Sequence, residues 1–481
     1  MIHLLSALAT CASGFALLRA LRLASGTPAV DVPLGWLVGA AWYALGAFSI
    51  RAFLGVGPGG LASALILALP VLGWALVRVR TGSAGSTSPA TTVPGSPRLP
   101  RPTWIFGPMA AWTVLVAVVV VVHGVSMPTH TDDAYRVRGL APMLVATGDW
   151  SAPAREVVAM AGAIPAFVPA LPWAFGAPVE SLQVGLPSIG AFLALLALLV
   201  GLGLARGSPG TGWAGAFALT SMPLLAYHAT STYSEIWLVV YLGAAFAFVA
   251  AYGRWREPGD AGRAILLLVG AAMVKREGEL LAVPIAVVLL AQVARDRKQE
   301  GWKGIARIAG PCAAGLVLLA ARVATVGAGG AFPFLRAAVA RAGIDGAPVV
   351  AAAAPTGGGG RPGAGAIFLD ALFLDGNFGI LYWVLLASLL LLAPRIRRAG
   401  LSWAGLGLAV VFAETAASAL WLYPQFTIDH STVHRSLLPV SAMAAIWLAA
   451  LLVEAPAAAA TPAAAEPRSV RRARRRAGAR A

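Results

Sequence analysis

Apolar blocks about as long as a bilayer is thick follow one another along most of the chain. Blocks such as 34–53, 182–205 and 236–252 have the roughly 17 to 25 residues that a transmembrane helix needs. The short pieces between the blocks carry nearly all of the arginine and lysine. Because backbone inside hydrocarbon must satisfy its own hydrogen bonds, each block is predicted to be a helix.

The composition requires lipid as the solvent for most of the chain. Of its 481 residues, 59% are hydrophobic and 12% are charged, which is more apolar side chain than one globular core can bury. We therefore predict an all-α polytopic membrane protein, a bundle of about 12 to 13 transmembrane helices with outer-face loops and juxtamembrane helices. The predicted spans are 2–18, 34–53, 61–77, 104–125, 182–205, 211–226, 236–252, 264–274 with 280–293, 308–326, 377–393, 401–422 and 436–453.

The positive charge predicts how the bundle is oriented. The net charge is +16, and many basic residues lie just beyond apolar blocks or in the tail 468–480, as is typical of cytoplasmic loops and headgroup contact. This placement argues against a nucleic-acid partner. The first block has no basic residues before it, so we expect a retained anchor and not a cleaved signal. The prediction is a multi-pass protein of the plasma or inner membrane, with its N-terminus outside and its C-terminus in the cytoplasm.

Composition also predicts the division of the chain. A stretch rich in proline, serine, threonine and glycine, 81–103, is typical of a flexible linker. It separates a three-helix membrane module, 1–80, from a main membrane domain, 104–455. The basic tail, 456–481, is predicted to be disordered.

Two segments do not fit simple crossings. The stretch 264–293 carries Lys275 to Glu279 in its middle, which would be costly inside a bilayer, so we predict two short helices that meet at this polar turn. The segment 157–178 is apolar but has four prolines, and we interpret it as interfacial or juxtamembrane helices. In this topology the polar turn faces outward.

The first outer loop of the main domain contains paired carboxylates. Asp132 and Asp133 follow directly after the helix that ends near Val125. Such a pair can act as a general base or hold a divalent cation. The alternative is an N-cap for the following helix. The need for a metal ion stays unknown, since two adjacent carboxylates alone do not make a site.

Two further outer segments carry ionisable residues at membrane depth. Glu235 ends the polar loop 227–235 and could support a site or answer the dipole of the next helix. Lys275 and Arg276 break the positive-inside trend, which favours an anion site with phosphate as the candidate ligand. Neutralisation by Glu277 and Glu279 is the alternative.

The loop before the last span combines histidine with arginine. Arg435 stands at a helix start, where a cation opposes the helix dipole and requires an anionic partner. His430 and His434 are four residues apart and could bind metal on one helix face. Without a third ligand, contact with lipid headgroups is the better interpretation.

Three of these segments resemble GT-C superfamily glycosyltransferases, in particular the group that includes the protein mannosyltransferases and the lipid A aminoarabinose transferases. The run Asp132-Asp133-Ala134-Tyr135-Arg136, leading to Gly148-Asp149-Trp150, is similar to the first large outer loop of that family. Lys275-Arg276-Glu277-Gly278 resembles its Lys-Asn-Glu-Gly turn, with arginine in place of asparagine. His434-Arg435-Ser436-Leu437-Leu438-Pro439 resembles its Arg-x-Leu-x-Pro helix start. The matches occur in the family's order and span roughly residues 104–455.

The resemblance implies an activity and roles for residues. Enzymes of this family move a sugar from a polyprenyl-phosphate carrier to an acceptor at the outer leaflet, so we expect an inverting hexosyl- or pentosyltransferase of the cell envelope. Asp133 or Asp132 would be the base. Lys275, Arg276 and Arg435 would bind the carrier phosphate, although Arg276 could instead pair with Glu277. The supporting residues would be Tyr135, Glu235, Glu277, His430 and His434.

The expected partners are the bilayer, the lipid-linked donor and a glycan, lipid or protein acceptor. No cofactor is implied with certainty, and a divalent metal stays open. The main alternative is a transporter or flippase for a lipid-linked or anionic solute. Such proteins place ionisable residues and broken helices near the midplane, often in two related halves. This sequence has no obvious internal repeat, and its polar residues cluster at one face. A non-catalytic scaffold, in which Asp132 and Asp133 are replaceable, is a third possibility.

Overall fold

The computed structural model describes residues 1–55, 57, 59–80, 106–126, 140–148, 151, 157–158, 162–178, 185–231, 234–300, 302–331, 363–422, 427 and 433–453. Within these ranges no residue is in a strand and the chain is 88% helical. Ten of the described helices are long and apolar enough to cross a membrane. The prediction of an all-α, multi-pass membrane protein is confirmed.

The described helices are numbered here in chain order. They are α1 (Ile2–Ala20), α2 (Pro28–Leu54), α3 (Gly60–Arg80), α4 (Phe106–Ser126), α5 (Ala141–Thr147), α6 (Ala163–Ala174), α7 (Gly185–Ala205), α8 (Pro209–Thr220), α9 (Pro223–Ser231), α10 (Ser234–Trp255), α11 (Pro258–Ala272), α12 (Arg276–Glu300), α13 (Trp302–Ala331), α14 (Ala364–Phe373), α15 (Leu381–Leu391), α16 (Ala393–Arg398), α17 (Ser402–Ala417) with a π-helical turn Ser418–Leu422, and α18 (Val433–Leu452).

Helix α10 is the centre of the bundle. Every residue of its most apolar window is buried by other helices, and the helices that pack on it include α7, α11 and α18. By contrast, only about a fifth or less of the residues in the most apolar windows of α3, α4 and α13 are buried. The apolar side chains of these helices therefore face outward. A helix that is apolar on all sides belongs in the interior, and one that is exposed and apolar requires lipid around it.

The N-terminal helices share the core of the following helices. The Trp36 ring of α2 stacks on Trp237 of α10 with ring centroids 5.8 Å apart. The hydroxyl of Tyr241 donates a hydrogen bond of 2.7 Å to the carbonyl oxygen of Leu37. The predicted linker, 81–103, and the predicted tail, 456–481, lie outside the described residues. Helices α1 to α3 are therefore packed parts of the bundle.

Small residues set the contact between α1 and α2. A Cβ added at Gly39 would overlap the carbonyl oxygen of Thr10, and one added at Gly14 would overlap that of Gly35. Close approach through small residues is how membrane helices associate when lipid removes the hydrophobic driving force.

Two predicted spans differ from the structure. The predicted span 211–226 is divided into α8 and α9, because Pro223 opens the second helix and has no N–H for the hydrogen-bond ladder of the first. The predicted span 377–393 contains only the 11 residues of α15, preceded by a turn that includes Asp375 and Gly376. These differences, and the short α11, account for the lower number of full-length spans.

The helix of the proline-containing segment, α6, has 12 residues and is not one of the ten candidate membrane spans. Residues Ala163 to Pro172 of α6 are all buried, so protein and not lipid covers them. The N–H of Ile164 donates to the carbonyl oxygen of Met273 at 3.2 Å. Gly162 has a φ of +86°, and a Cβ there would overlap the carbonyl oxygen of Val274. This glycine lets α6 pack directly beside the connection between α11 and α12.

The stretch predicted as two short helices has one short and one long helix. Helix α11 has 15 residues and α12 has 25. The predicted polar turn, 275–279, is mostly the first turn of α12. Glu277 and Glu279 favour a helix start there because their charges answer the helix dipole. At Gly278 a Cβ would overlap the carbonyl oxygen of Ala271, so only glycine allows the two helices to meet this closely.

Candidate functional site

Glu235 lies in the first turn of the buried central helix α10. Its side chain is only 7% exposed, and the first turn is where a carboxylate is stabilised by the helix dipole. A buried carboxylate still needs nearby cations to offset the loss of water. The structure supplies them from two segments that are distant in the sequence.

Lys275 is the nearest of these cations. Its Nζ donates to Oε1 of Glu235 at 3.0 Å, and its side chain is 14% exposed. Oε1 of the more exposed Glu277 lies 3.9 Å from the same nitrogen. Burial lowers the pKa of Lys275, but the two carboxylates outweigh it and raise the pKa above its usual value. The lysine is therefore charged at neutral pH.

Arg435 is the second cation and comes from the first turn of α18. Its Nη1 lies 3.9 Å from Oε1 of Glu235, and its side chain is 27% exposed. A cation at a helix start is unfavourable by itself. Its position beside Glu235 supplies the anionic partner that the sequence requires.

These three side chains line one cavity of about 110 Å³. Glu277 joins them at its edge, and Leu238, Leu280, Leu281 and Pro439 form its apolar wall. The hydroxyl-bearing residues Thr415 and Ser418 of the α17 segment and Ser436 of α18 complete the lining. The cavity thus combines two cations and two carboxylates with an apolar surface, at the end of the bundle where α10, α12 and α18 begin.

His228 lies next to this cluster on α9. Its side chain is nearly fully buried, and its ring packs edge-on against Tyr227 with centroids 5.6 Å apart. Burial lowers the pKa of His228 to about 4, with Arg435 and Lys275 acting in the same direction and Glu235 opposing them. The imidazole is therefore neutral at physiological pH. His228 lies in the polar loop 227–235, but sequence reasoning did not single it out as a site residue. Nothing in the sequence shows that it is buried beside Glu235.

A second ion pair supports the first turn of α12. Arg322 of α13 forms an ion pair with Glu279 and donates a hydrogen bond to the carbonyl oxygen of Ala272, the last residue of α11. The same guanidinium therefore bridges the two helices that present Lys275. Sequence reasoning missed this arginine because it lies inside an apolar span.

His434 does not line the cavity. Its Nε2 contacts the carboxylate of Asp375, in the turn before α15. Sequence reasoning missed Asp375 because it precedes a predicted span, although the polar run Asp375-Gly376-Asn377 was a usable signal. This contact gives His434 a protein partner, where the sequence suggested lipid headgroups.

Several predicted site residues lie outside the described part of the chain. Asp132, Asp133, Tyr135 and His430 are among them, and for Arg276 only the backbone, at the start of α12, is described. Within the described ranges, no group of three or more histidine, cysteine or acidic residues is placed to hold a metal ion. The structure thus joins Glu235, Lys275, Glu277 and Arg435.

The fold and this site define a class: a helical, multi-pass membrane protein with a charged cavity at one end of its bundle. Comparison does not narrow that class further. The chain matches no known protein family, no curated protein and no solved structure.

Proposed function

We propose that this protein is a membrane glycosyltransferase that takes a sugar from a polyprenyl-phosphate carrier and attaches it to an acceptor. The observation that carries the proposal is the convergence of Lys275 and Arg435 on one cavity with an apolar wall. Their segments, 275–278 and 434–439, are two of the three that resemble the GT-C superfamily. A phosphate on an isoprenoid chain has the matching chemistry, since it is an anion attached to a long apolar group.

The electrostatics of the cavity favour an anionic group. Lys275 and Arg435 both act on the buried carboxylate of Glu235, so these three inner side chains carry a net charge of about +1. The half-exposed Glu277, 3.9 Å from Lys275, brings the formal charge of the whole lining to zero. The cations are held by the protein before any ligand enters. Such preorganised charges stabilise an anion without a large cost of rearrangement.

Sugar transfer from such a donor needs few chemical groups. The acceptor hydroxyl loses its proton to a carboxylate, and its oxygen forms a bond with the anomeric carbon. The bond from that carbon to the phosphate oxygen breaks, and the phosphate leaves as an anion bound by Lys275 and Arg435. A single displacement of this kind inverts the configuration at the anomeric carbon. We assign the base to Asp133 or Asp132.

The transporter alternative is less well supported. Glu235, Lys275 and Arg435 lie in or next to the first turns of their helices, at one end of the bundle. A transporter site would sit near the midplane, at the interface of two related halves. The proposed location is the plasma or inner membrane, with this end of the bundle facing outward.

The test is sugar transfer in membranes that contain the protein, with labelled polyprenyl-phosphate hexoses and pentoses as donors. We expect Asp132→Asn or Asp133→Asn to lower the rate of transfer at least 100-fold, the usual range for loss of a general base. Arg435→Gln should raise the donor KM. The matched control is Asp370→Asn, which removes an exposed carboxylate of α14 and should leave transfer unchanged. Full activity in both aspartate variants and in the double variant would remove the proposed roles.

A further inference from the structure

The turn between α14 and α15, residues 374–380, lies beside the first turn of α18. Asp375 belongs to this turn, and its carboxylate contacts Nε2 of His434, the second residue of α18. A ring nitrogen meets a carboxylate favourably only as an N–H donor, so His434 is held through this nitrogen. The next residue, Arg435, lies 3.9 Å from Glu235 and lines the candidate site. Two carboxylates from distant parts of the chain therefore flank the start of one helix.

Hydrogen bonds and ring contacts hold this turn in place. The backbone N–H of Asp375 donates to the carbonyl oxygen of Asp370 at 3.0 Å. On the other side of the turn, the buried ring of Tyr382 packs edge-on against Phe378 with centroids 5.7 Å apart. The hydroxyl of Tyr382 lies 2.8 Å from that of Ser441 on α18. Helix α15 is thus docked on α18, and the carboxylate of Asp375 is presented from a supported backbone.

The position of one residue in a helix sets the position of the next. Successive residues are about 100° apart around the axis, so contact at His434 also fixes the direction in which Arg435 leaves the helix. A rotation of about 10° moves a group that lies roughly 6 Å from the axis by about 1 Å. A displacement of that size is enough to weaken the interactions of a positioned group.

The charge of Asp375 supports the same arrangement. Arg435 is a cation at a helix start, where it faces the positive end of the helix dipole. A carboxylate beside the same first turn lowers that cost. Asp375 does so from outside the cavity, since it is not part of the lining. It therefore does not occupy the space of a bound phosphate.

We propose that Asp375 is a positioning residue of the carrier-phosphate site, and that it acts through His434 to hold Arg435 opposite Glu235. The assignment rests on the proposed function, which makes this cavity the one that binds an isoprenoid phosphate. Asp375 itself touches no ligand. Its loss should weaken phosphate binding, and in transfer assays it should raise the donor KM more than it lowers kcat.

The experiment measures the binding of farnesyl phosphate, a short isoprenoid phosphate, to the purified full chain in detergent by isothermal titration calorimetry. Asp375→Ala removes the acceptor of His434, and we expect it to raise Kd about fivefold, the range set by loss of one hydrogen bond. Asp375→Asn keeps an acceptor oxygen and should recover at least half of this loss on a logarithmic scale. The matched control is Asp370→Ala, which removes an exposed side chain of α14 and should bind like the unchanged chain.

Two double variants test whether the effect passes through His434 and Arg435. Adding Asp375→Ala to His434→Gln or to Arg435→Gln should leave Kd unchanged, because the link or the positioned cation is already gone. A merely structural role would add the same fivefold loss to both, and that result overturns the proposal. An unchanged Kd in Asp375→Ala also overturns it.

The proposed function fails in a different way. Farnesyl phosphate that binds in the expected pattern, without sugar transfer from any donor, would refute the transferase and support the positioning role. Normal transfer kinetics in Asp375→Ala would refute the positioning role and leave the transferase intact. An unchanged chain that does not bind farnesyl phosphate would overturn both.

Discussion

Replacement of Lys275 by methionine removes the cation nearest to Glu235 and tests whether the buried cluster acts as a unit. Both cations act on the same atom, since Lys275 Nζ lies 3.0 Å and Arg435 Nη1 lies 3.9 Å from Oε1 of Glu235. Coulomb attraction falls with the inverse of distance, so the attraction of Arg435 is about three-quarters of that of Lys275. In the Lys275→Met variant, the carboxylate of Glu235 therefore keeps a substantial part of its electrostatic stabilisation, from Arg435.

The expected loss in the free energy of unfolding follows from this division of the attraction between Lys275 and Arg435. Removal of one partner of a buried ion pair costs roughly 3 to 5 kcal/mol because the remaining charge stays buried. With Arg435 still present, we expect Lys275→Met to lower the free energy of unfolding by about 2 to 3 kcal/mol. The double variant Lys275→Met/Arg435→Gln should lose more than the sum of the two single losses, by about 1 kcal/mol. Lys275→Met/Glu235→Gln should recover at least half of the Lys275→Met loss, since the buried carboxylate is gone and Arg435, which loses its partner Glu235, is 27% exposed.

The measurement is the free energy of unfolding in mixed micelles, from denaturant titration followed by circular dichroism. Arg397→Met is the control, because Arg397 is exposed and a surface change should stay within about 0.5 kcal/mol. If Lys275→Met/Glu235→Gln loses the full sum of its two single losses, the side chains are not energetically coupled. The inferred cluster would then be refuted.

Three further predictions use the same structure. His228 has a folded-state pKa of about 4, below its usual 6.5, so acid protonates this histidine first in the unfolded chain. Lowering the pH from 7 to 5 should therefore cost the unchanged chain about 2 kcal/mol more stability than it costs His228→Gln, as measured by the difference between their unfolding titrations. Gly39→Ala should destabilise the protein by about 1 to 3 kcal/mol through overlap with α1, whereas Gly73→Ala should not lower the melting temperature. In a chain with Cys11 and Cys312 replaced by serine, Glu277→Cys should react with an impermeant thiol reagent from outside and Arg397→Cys only from inside; the reverse pattern would overturn the proposed orientation.

The fold class was predictable because hydropathy alone determines which segments need lipid. The predicted limits of spans such as 61–77 and 182–205 lie within three residues of the helices there, since charged or turn-forming residues flank them. Helix breaks were harder to predict. Pro223 opens a new helix, yet Pro311 and Pro439 lie inside continuous ones. A proline disturbs the backbone wherever it occurs, and only the surrounding packing decides whether the helix ends.

The candidate site was predictable as a set of segments but not as a set of contacts. An ionisable residue at membrane depth marked the segment of Glu235, cations in an unexpected loop marked that of Lys275, and an arginine at a helix start marked that of Arg435. The pairing of Lys275 with Glu235 joins residues 40 positions apart, and no local pattern encodes which carboxylate a lysine will meet. Arg322 and Asp375 were missed for the same reason, because their roles depend on which helices are neighbours.

If the proposed function holds, Glu235 serves to offset the repulsion between the two cations, a role that its negative charge beside a phosphate site would not suggest. A carboxylate beside a phosphate site weakens anion binding, so a site made only for affinity would lack it. Without an anion, however, Lys275 and Arg435 would be two like charges in a largely buried cavity, which is costly. Glu235 offsets that cost and fixes both cations on a single oxygen atom. The site then meets a carrier phosphate with both cations already oriented, and the two carboxylates of the lining, Glu235 and Glu277, favour release of the carrier after the sugar has left.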